Sequence, residues 1–182
     1  MRHQTGFTLV EMGSCILILG LLLGLSLPGY ARFVEEQRAT SAANGIHAVL
    51  AFARSHAVVN RKRVVLCRDG GNAECAFLGS WSAGAFAFED DNLNSIRDGG
   101  EPIVLRLDPS EFSGSHVVGP VGRRVIGFNP DGRSAGTNLS LRICDRGLAT
   151  RRLVIVSASG RPRTTRDVAT SPRCGNDPPP RY

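Results

Sequence analysis

Gly6-Phe7-Thr8-Leu9-Val10-Glu11, followed by an almost unbroken apolar run to Leu27, is the stretch on which the fold turns. Six residues, Met1 to Gly6, precede the run and carry Arg2 and His3. No charged residue occurs from Met12 to Leu27. Counted from Phe7, the run reaches the length of about 20 apolar residues that a bilayer-spanning helix needs. Glu11 is the exception inside it. A carboxylate there is costly, so its presence points to a role. A secretory signal cleaved after Ala31 and a plain membrane anchor are the alternative readings, and Glu11 argues against the first.

Gly6 to Glu11 resembles the processing site of type IV pilins and type II secretion pseudopilins. The resemblance implies cleavage between Gly6 and Phe7 by a prepilin peptidase and N-methylation of Phe7. It also implies that Glu11 pairs with the terminal amine of a neighbouring subunit, which would neutralise a buried carboxylate. Further implied are a single-pass bacterial inner-membrane protein with a periplasmic ectodomain and a later extracellular life in a pilus. Its partners would be other major and minor pilin subunits and the inner-membrane assembly platform.

Beyond the run the pattern stays helical. Phe33, Ala42, Ala43, Ile46, Val49, Leu50, Ala53 and Ala57 recur close to i, i+3, i+4, i+7 spacing. Pro28-Gly29 predicts a kink without an end. After Asn60 the period shortens. Strands are predicted at 64–68, 84–88, 103–107, 117–118, 124–128, 139–143 and 153–157, separated by turns such as Asp98-Gly99-Gly100 and Asn129-Pro130-Asp131-Gly132. No second long helix is predicted. The expected fold class is α+β, a pilin fold: a long N-terminal helix, half transmembrane and half amphipathic, packed on an antiparallel β-sheet or sandwich. The expected organisation is a leader peptide at 1–6, a transmembrane polymerisation helix at 7–28, its amphipathic half at 29–61, and a β-rich globular domain at 62–182.

The net charge is +6. Nine arginines against Asp145, Asp167 and Asp177 in residues 142–182 account for all of it. A basic bias at one end is the electrostatic footprint of a polyanion partner, with a solvated surface as the plainer reading. Of five cysteines, Cys15 lies in the apolar run as a small packing residue. Cys67, Cys75, Cys144 and Cys174 suit two disulfides outside the cytoplasm, with three connectivities open. Cys67–Cys75 with Cys144–Cys174 is favoured, because the first closes a tight loop and the second ties back the arginine-rich tail.

The Cys67–Cys75 spacing, Trp81, Phe88-Glu89-Asp90-Asp91-Asn92, Phe128 to Gly132 and Ser157 to Arg163 resemble the GspH/FimT-type minor pilins and pseudopilins. Gly160-Arg161-Pro162-Arg163 looks like the GRxR motif that FimT-type minor pilins use to bind DNA in natural transformation. The resemblance implies a DNA-binding set of Gly160, Arg161, Arg163 and Arg166 acting on double-stranded DNA. In an extended segment, side chains two apart share a face roughly 6.6 Å from each other, so Arg161 and Arg163 could address successive phosphates. Pro162 fits an edge or a loop, Gly160 permits a turn or a close approach, and Arg151 and Arg152 are candidates to flank the motif.

Asp90, Asn92, Asn94, Asp98 and Glu101 fall at positions 1, 3, 5, 9 and 12 of a calcium loop. Ser95 stands where glycine is usual and the flanks read as strands, so a polar hairpin turn is expected. His3, His47, His56 and His116 are scattered, and no serine sits in a nucleophile elbow. The expectation is a non-enzyme with no cofactor, no metal and no catalytic residues. Two functions remain: a minor pilin that captures extracellular DNA for uptake, or a structural minor pilin or GspH-like pseudopilin, serving pilus assembly or type II secretion without DNA.

Overall fold

A computed structural model describes residues 6, 8–76, 79–112, 114–120, 122–166 and 174, without the side chains of 25–28. Helix α1 spans Leu9–Asn60. Its start is set by a capping box. The Thr8 backbone N–H and hydroxyl both donate to Glu11 Oε2 at 2.9 Å, and the Glu11 N–H donates back to Thr8 Oγ1 at 3.3 Å. The chain divides into two compact units, Met1–Glu35 and Glu36–Tyr182. In the first, Leu9, Val10, Met12 and the leucines and isoleucines from Ile16 to Leu23 are all exposed. The helix is long and apolar enough to cross a membrane.

The second unit holds the core. Ala39, Ala42, Ala43, Ile46, Val49, Leu50, Ala53 and Ala57 form the buried stripe of its helical part. Five of these eight are alanines, so the sheets can approach the helix closely. One sheet comprises β1 (Val64–Asp69), β2 (Cys75–Ala76), β3 (Ala85–Glu89), β4 (Ile103–Leu107) and β6 (Val125–Phe128). β1 is its centre, paired with β3 along Val64–Arg68, with β6 along Val64–Cys67 and with β2 at its end. The other sheet has the order β5-β7-β8-β9: His116–Val118, Leu139–Cys144, Thr150–Val156 and Pro162–Thr165. Every pairing is antiparallel.

Side-chain alternation explains the burial. Val64, Leu66, Ala85, Ala87, Ile126 and Phe128 join the main core with the helix stripe, while Val65, Cys67, Phe86 and Phe88 form a smaller cluster on the opposite face. Both faces of β1 and β3 are therefore covered. In the second sheet only one face is. Val117, Leu139, Leu141, Ile143, Val154 and Val156 are buried, and Leu153 and Ile155 between them are half-exposed. Cys67 is bonded to Cys75 and Cys144 to Cys174, with Cα–Cα distances of 5.5 and 6.3 Å. Strands β2 and β9 and two 3-10 turns, Trp81–Ala83 and Pro109–Phe112, are additions to the predicted elements. The predicted helix and the other strands form within a few residues of expectation.

Candidate nucleic-acid interface

The GRxR segment forms the end of the β8–β9 hairpin. The Gly160 N–H donates to Ser157 O at 2.8 Å and the Ser157 N–H to Arg161 O at 3.3 Å. Gly160 has φ +77°, so a tight turn ends in a left-handed residue, which glycine supplies at least cost. The hairpin tip is anchored on its neighbours. Ala158 N–H donates to Asn138 Oδ1 at 2.6 Å, and Ser134 N–H to Ala158 O at 3.2 Å. Gly160 is buried, and a side chain there would collide with the carbonyl of Gly132, the group to which Arg54 of α1 donates at 2.8 Å. Glycine is thus required at this position by packing as well as by backbone conformation.

Register decides what the following residues present. Arg163 lies opposite Ile155 and Pro162 opposite Val156. Because Ser157 and Arg161 are hydrogen-bonded, the alternation of antiparallel pairs turns the Pro162 backbone away from β8. Its missing N–H costs the sheet nothing, and its carbonyl accepts from His47 Nε2 of α1 at 3.2 Å. β9 is the edge of its sheet among the described residues. Arg161 and Arg163, two positions apart, are exposed, and their side chains make no hydrogen bond or ion pair among the described residues; the same holds for the Arg166 side chain. A shallow depression lined by Leu153, Ile155, Arg163, Thr164 and Thr165 runs beside them. It has no aromatic lining, so it offers no stacking platform for single-stranded bases.

The proposed flanking arginines are placed otherwise. Arg152 points inward, is buried, and forms an ion pair with Glu36 while donating to Thr40 Oγ1 at 2.9 Å. Arg151 Nε donates to Asp145 Oδ2 at 2.7 Å. Period-two alternation puts one of two adjacent arginines in the core, and its charge is met there by the helix. Neither is available as an unpaired cation.

A family model for the type II transport protein GspH matches residues 42–160. The chain belongs to the GspH family. Among solved structures, the type IV minor pilin FimU of Pseudomonas aeruginosa PAO1 is similar in two crystal forms. In one, 20% identity and a TM-score of 0.57 extend over 73% of this chain and 92% of that one. In the other, 20% identity and a TM-score of 0.53 extend over 69% and 91%. The minor pseudopilin EpsH of Vibrio cholerae is similar at 12% identity and a TM-score of 0.48, over 71% and 97%. Comparison with curated protein sequences gives no match. The helix-on-sheets architecture of this GspH-family chain is thus the pilin fold.

Membership in the GspH family makes the chain a structural, non-enzymatic subunit of the minor pilin and pseudopilin kind, one that works with other subunits and an assembly machinery. Its long apolar helix fits membrane anchoring with a periplasmic ectodomain. The matched region ends at Gly160, just before the arginines. At the other end, Gly6 is described and Phe7 lies outside the described residues. Glu11 is engaged by Thr8 of its own chain. Thr8 was not among the expected site residues, although the Thr-x-x-Glu spacing of a capping box could have signalled it.

Proposed function

We propose that this chain is a minor type IV pilin that binds extracellular double-stranded DNA without sequence preference and supports its uptake in natural transformation. The observation that carries the reading is the pair Arg161 and Arg163, two positions apart with exposed, unpaired side chains, the first just before and the second within the edge strand β9. Gly160 positions the pair and Arg166 extends it. Guanidinium groups spaced along an extended edge suit successive phosphates, and nothing beside them reads a base. In this reading a prepilin peptidase cleaves between Gly6 and Phe7, Phe7 is methylated, and Glu11 meets the terminal amine of a neighbouring subunit. The subunit is held in the inner membrane until it enters the pilus, together with other major and minor pilins and the assembly platform. The second reading, a GspH-like pseudopilin or structural minor pilin without DNA, is favoured by the matching family's description as a type II transport protein.

The test is a gel-shift titration of full-length protein in detergent with duplexes of unrelated sequence. With about three phosphates contacted, the log–log salt slope is near −3. Arg161→Ala with Arg163→Ala abolishes the shift and leaves the melting temperature unchanged. Wild-type protein that shifts no duplex at low salt would leave the purely structural reading in place.

A further inference from the structure

The hairpin tip that carries Arg161 lies against two other elements, and each brings an arginine of its own. From α1 comes Arg54, which is half-buried. Its Nε donates to Gly132 O at 2.8 Å. Its Nη2 is 3.3 Å from where a Cβ on Gly132 would stand, and its Nε is 3.2 Å from where one on Gly160 would stand. The guanidinium is therefore seated between the two turns, in space that glycine leaves open on both sides. Among the described residues, the bond to Gly132 O is its only hydrogen bond and no carboxylate pairs with it, while its terminal nitrogens are not buried. A cation partly withdrawn from water and held by one carbonyl keeps a charge that nothing around it neutralises.

From the turn after β6 comes Arg133. The turn is closed by Gly132 N–H to Asn129 O at 2.8 Å and by Asn129 N–H to Arg133 O at 2.9 Å. Its acid, Asp131, accepts the Arg133 backbone N–H through Oδ1 at 2.9 Å. The next residue, Ser134, donates its N–H to Ala158 O in the hairpin. Arg133 is exposed, and its side chain makes no hydrogen bond or ion pair among the described residues. Gly132 and Gly160 are in contact, and Arg133 and Arg161 are the residues that follow them. Three arginines from separate stretches of the chain thus flank one glycine contact.

We infer that Arg54 and Arg133 extend the phosphate-binding surface of Arg161 and Arg163 onto α1 and the turn after β6, with Arg54 as its fixed member. The inference rests on the DNA reading of the same hairpin. Guanidinium forks match phosphate oxygens, and a fork already pinned in place loses less freedom on binding than a solvated one. The surface is then assembled from three elements, and the GRxR segment is one part of it.

Gel-shift titrations of full-length protein in detergent, with one duplex at a series of salt concentrations, test it. Each phosphate contact adds about 1 to the magnitude of the log–log salt slope. The wild-type slope is therefore expected to be steeper by about 2 than the value that Arg161, Arg163 and Arg166 alone give. Arg133→Ala and Arg54→Gln each make it shallower by about 1, and Arg133→Lys, which keeps the charge, does not. Glutamine Nε2 stands as far along its side chain as arginine Nε, so Arg54→Gln retains a donor for Gly132 O and the wild-type Tm while removing the fork. Should Arg54→Gln melt early, the exposed Arg133→Ala decides alone. Arg146→Ala removes an exposed arginine in the β7–β8 turn, at the other end of β8, and leaves the slope unchanged. A wild-type slope that neither Arg133→Ala nor Arg54→Gln alters overturns the inference and leaves the motif reading standing. An equal change in Arg146→Ala also overturns it, because net charge alone then explains the effect. Wild-type protein that shifts no duplex removes both readings.

Discussion

Gly160 lies directly against the carbonyl of Gly132, on the hydrogen bond that Arg54 of α1 makes to that carbonyl. One contact therefore joins the helix, the turn after β6 and the β8–β9 hairpin that carries the arginines. Gly160→Ala adds a methyl group where there is no room and places alanine at φ +77°. The expected cost is about 2–4 kcal/mol, from overpacking plus left-handed strain. Tm falls, and any DNA shift is lost along with the hairpin's position. Arg161→Ala with Arg163→Ala loses the shift at unchanged Tm. Thermal melts and gel shifts on the two variants separate a supporting residue from a contacting pair. Equal melting of Gly160→Ala and wild type would contradict the packing role.

Arg152 makes the opposite case, an arginine that serves the fold. It is 3% exposed and pairs with the half-exposed Glu36, with Thr40 beside it. Truncation removes the stem that fills the space beneath β8 and leaves the helix groups unpaired. Arg152→Ala is expected to cost about 2–4 kcal/mol, whereas Arg161→Ala stays within about 0.5 kcal/mol, as exposed changes do. Urea denaturation of the two variants measures the contrast. A similar midpoint for both would place Arg152 on the surface in solution.

Much of this was legible in the sequence. The helix period from Phe33 to Ala57, the turn dipeptides and the alternating strands point to an α+β fold, because one-sided burial leaves a periodic trace, and the resemblance of Gly6 to Glu11 to a pilin processing site adds the family. Gly160, Pro162 and the two arginines were also visible as a motif. Two things were not. The partner of Gly160 is Gly132, and long-range contact leaves no local pattern. Which of Arg151 and Arg152 faces inward depends on the register of β8 against β7, and adjacent arginines carry no apolar alternation to reveal it. β9 escaped prediction because Pro-Arg-Thr-Thr has no buried face of its own and is recruited by pairing with β8.

Glu89 at the end of β3 ties α1 to the sheet. It accepts from His56 Nε2 at 2.8 Å and from Lys62 Nζ at 2.7 Å. The His56 contact first, then Lys62, holds its carboxyl below the usual carboxylate range, and Glu89 in turn raises Lys62. A depressed carboxyl stabilises the fold above its unfolded value of about 4.3 and ceases to do so as pH falls through the lower folded value. The raised Lys62 acts at the other end, its contribution being lost only as pH climbs through its folded value, above about 10.4. Glu89→Gln is therefore expected to lower Tm at pH 7, corresponding to about 1–2 kcal/mol. It should also flatten part of the decline between about pH 5 and pH 3. Circular dichroism melts across that range provide the check, and parallel curves for variant and wild type would show that Glu89 carries none of the acid sensitivity.

The two disulfides should differ in weight because they close loops of different length. Cys67 and Cys75 are 8 residues apart, Cys144 and Cys174 are 30 apart. Loop-closure entropy gives about 2–3 kcal/mol for the first and about 3–4 kcal/mol for the second. Their structural consequences differ as well. Cys67–Cys75 sits where β1 already pairs with β2 and where Cys67 is packed with Val65, Phe86 and Phe88. Cys144–Cys174 is reinforced at Cys174 by one backbone hydrogen bond, from its N–H to Leu148 O at 3.0 Å. Cys144→Ser with Cys174→Ser should therefore lower Tm more than Cys67→Ala with Cys75→Ala, and it should open the chain after β9 to protease while leaving the β1–β3 core intact. Limited proteolysis followed by mass mapping, alongside melts of both double variants, tests the order. A larger loss from the Cys67–Cys75 pair would mean that packing around Cys67, and not loop length, sets the value of the bond.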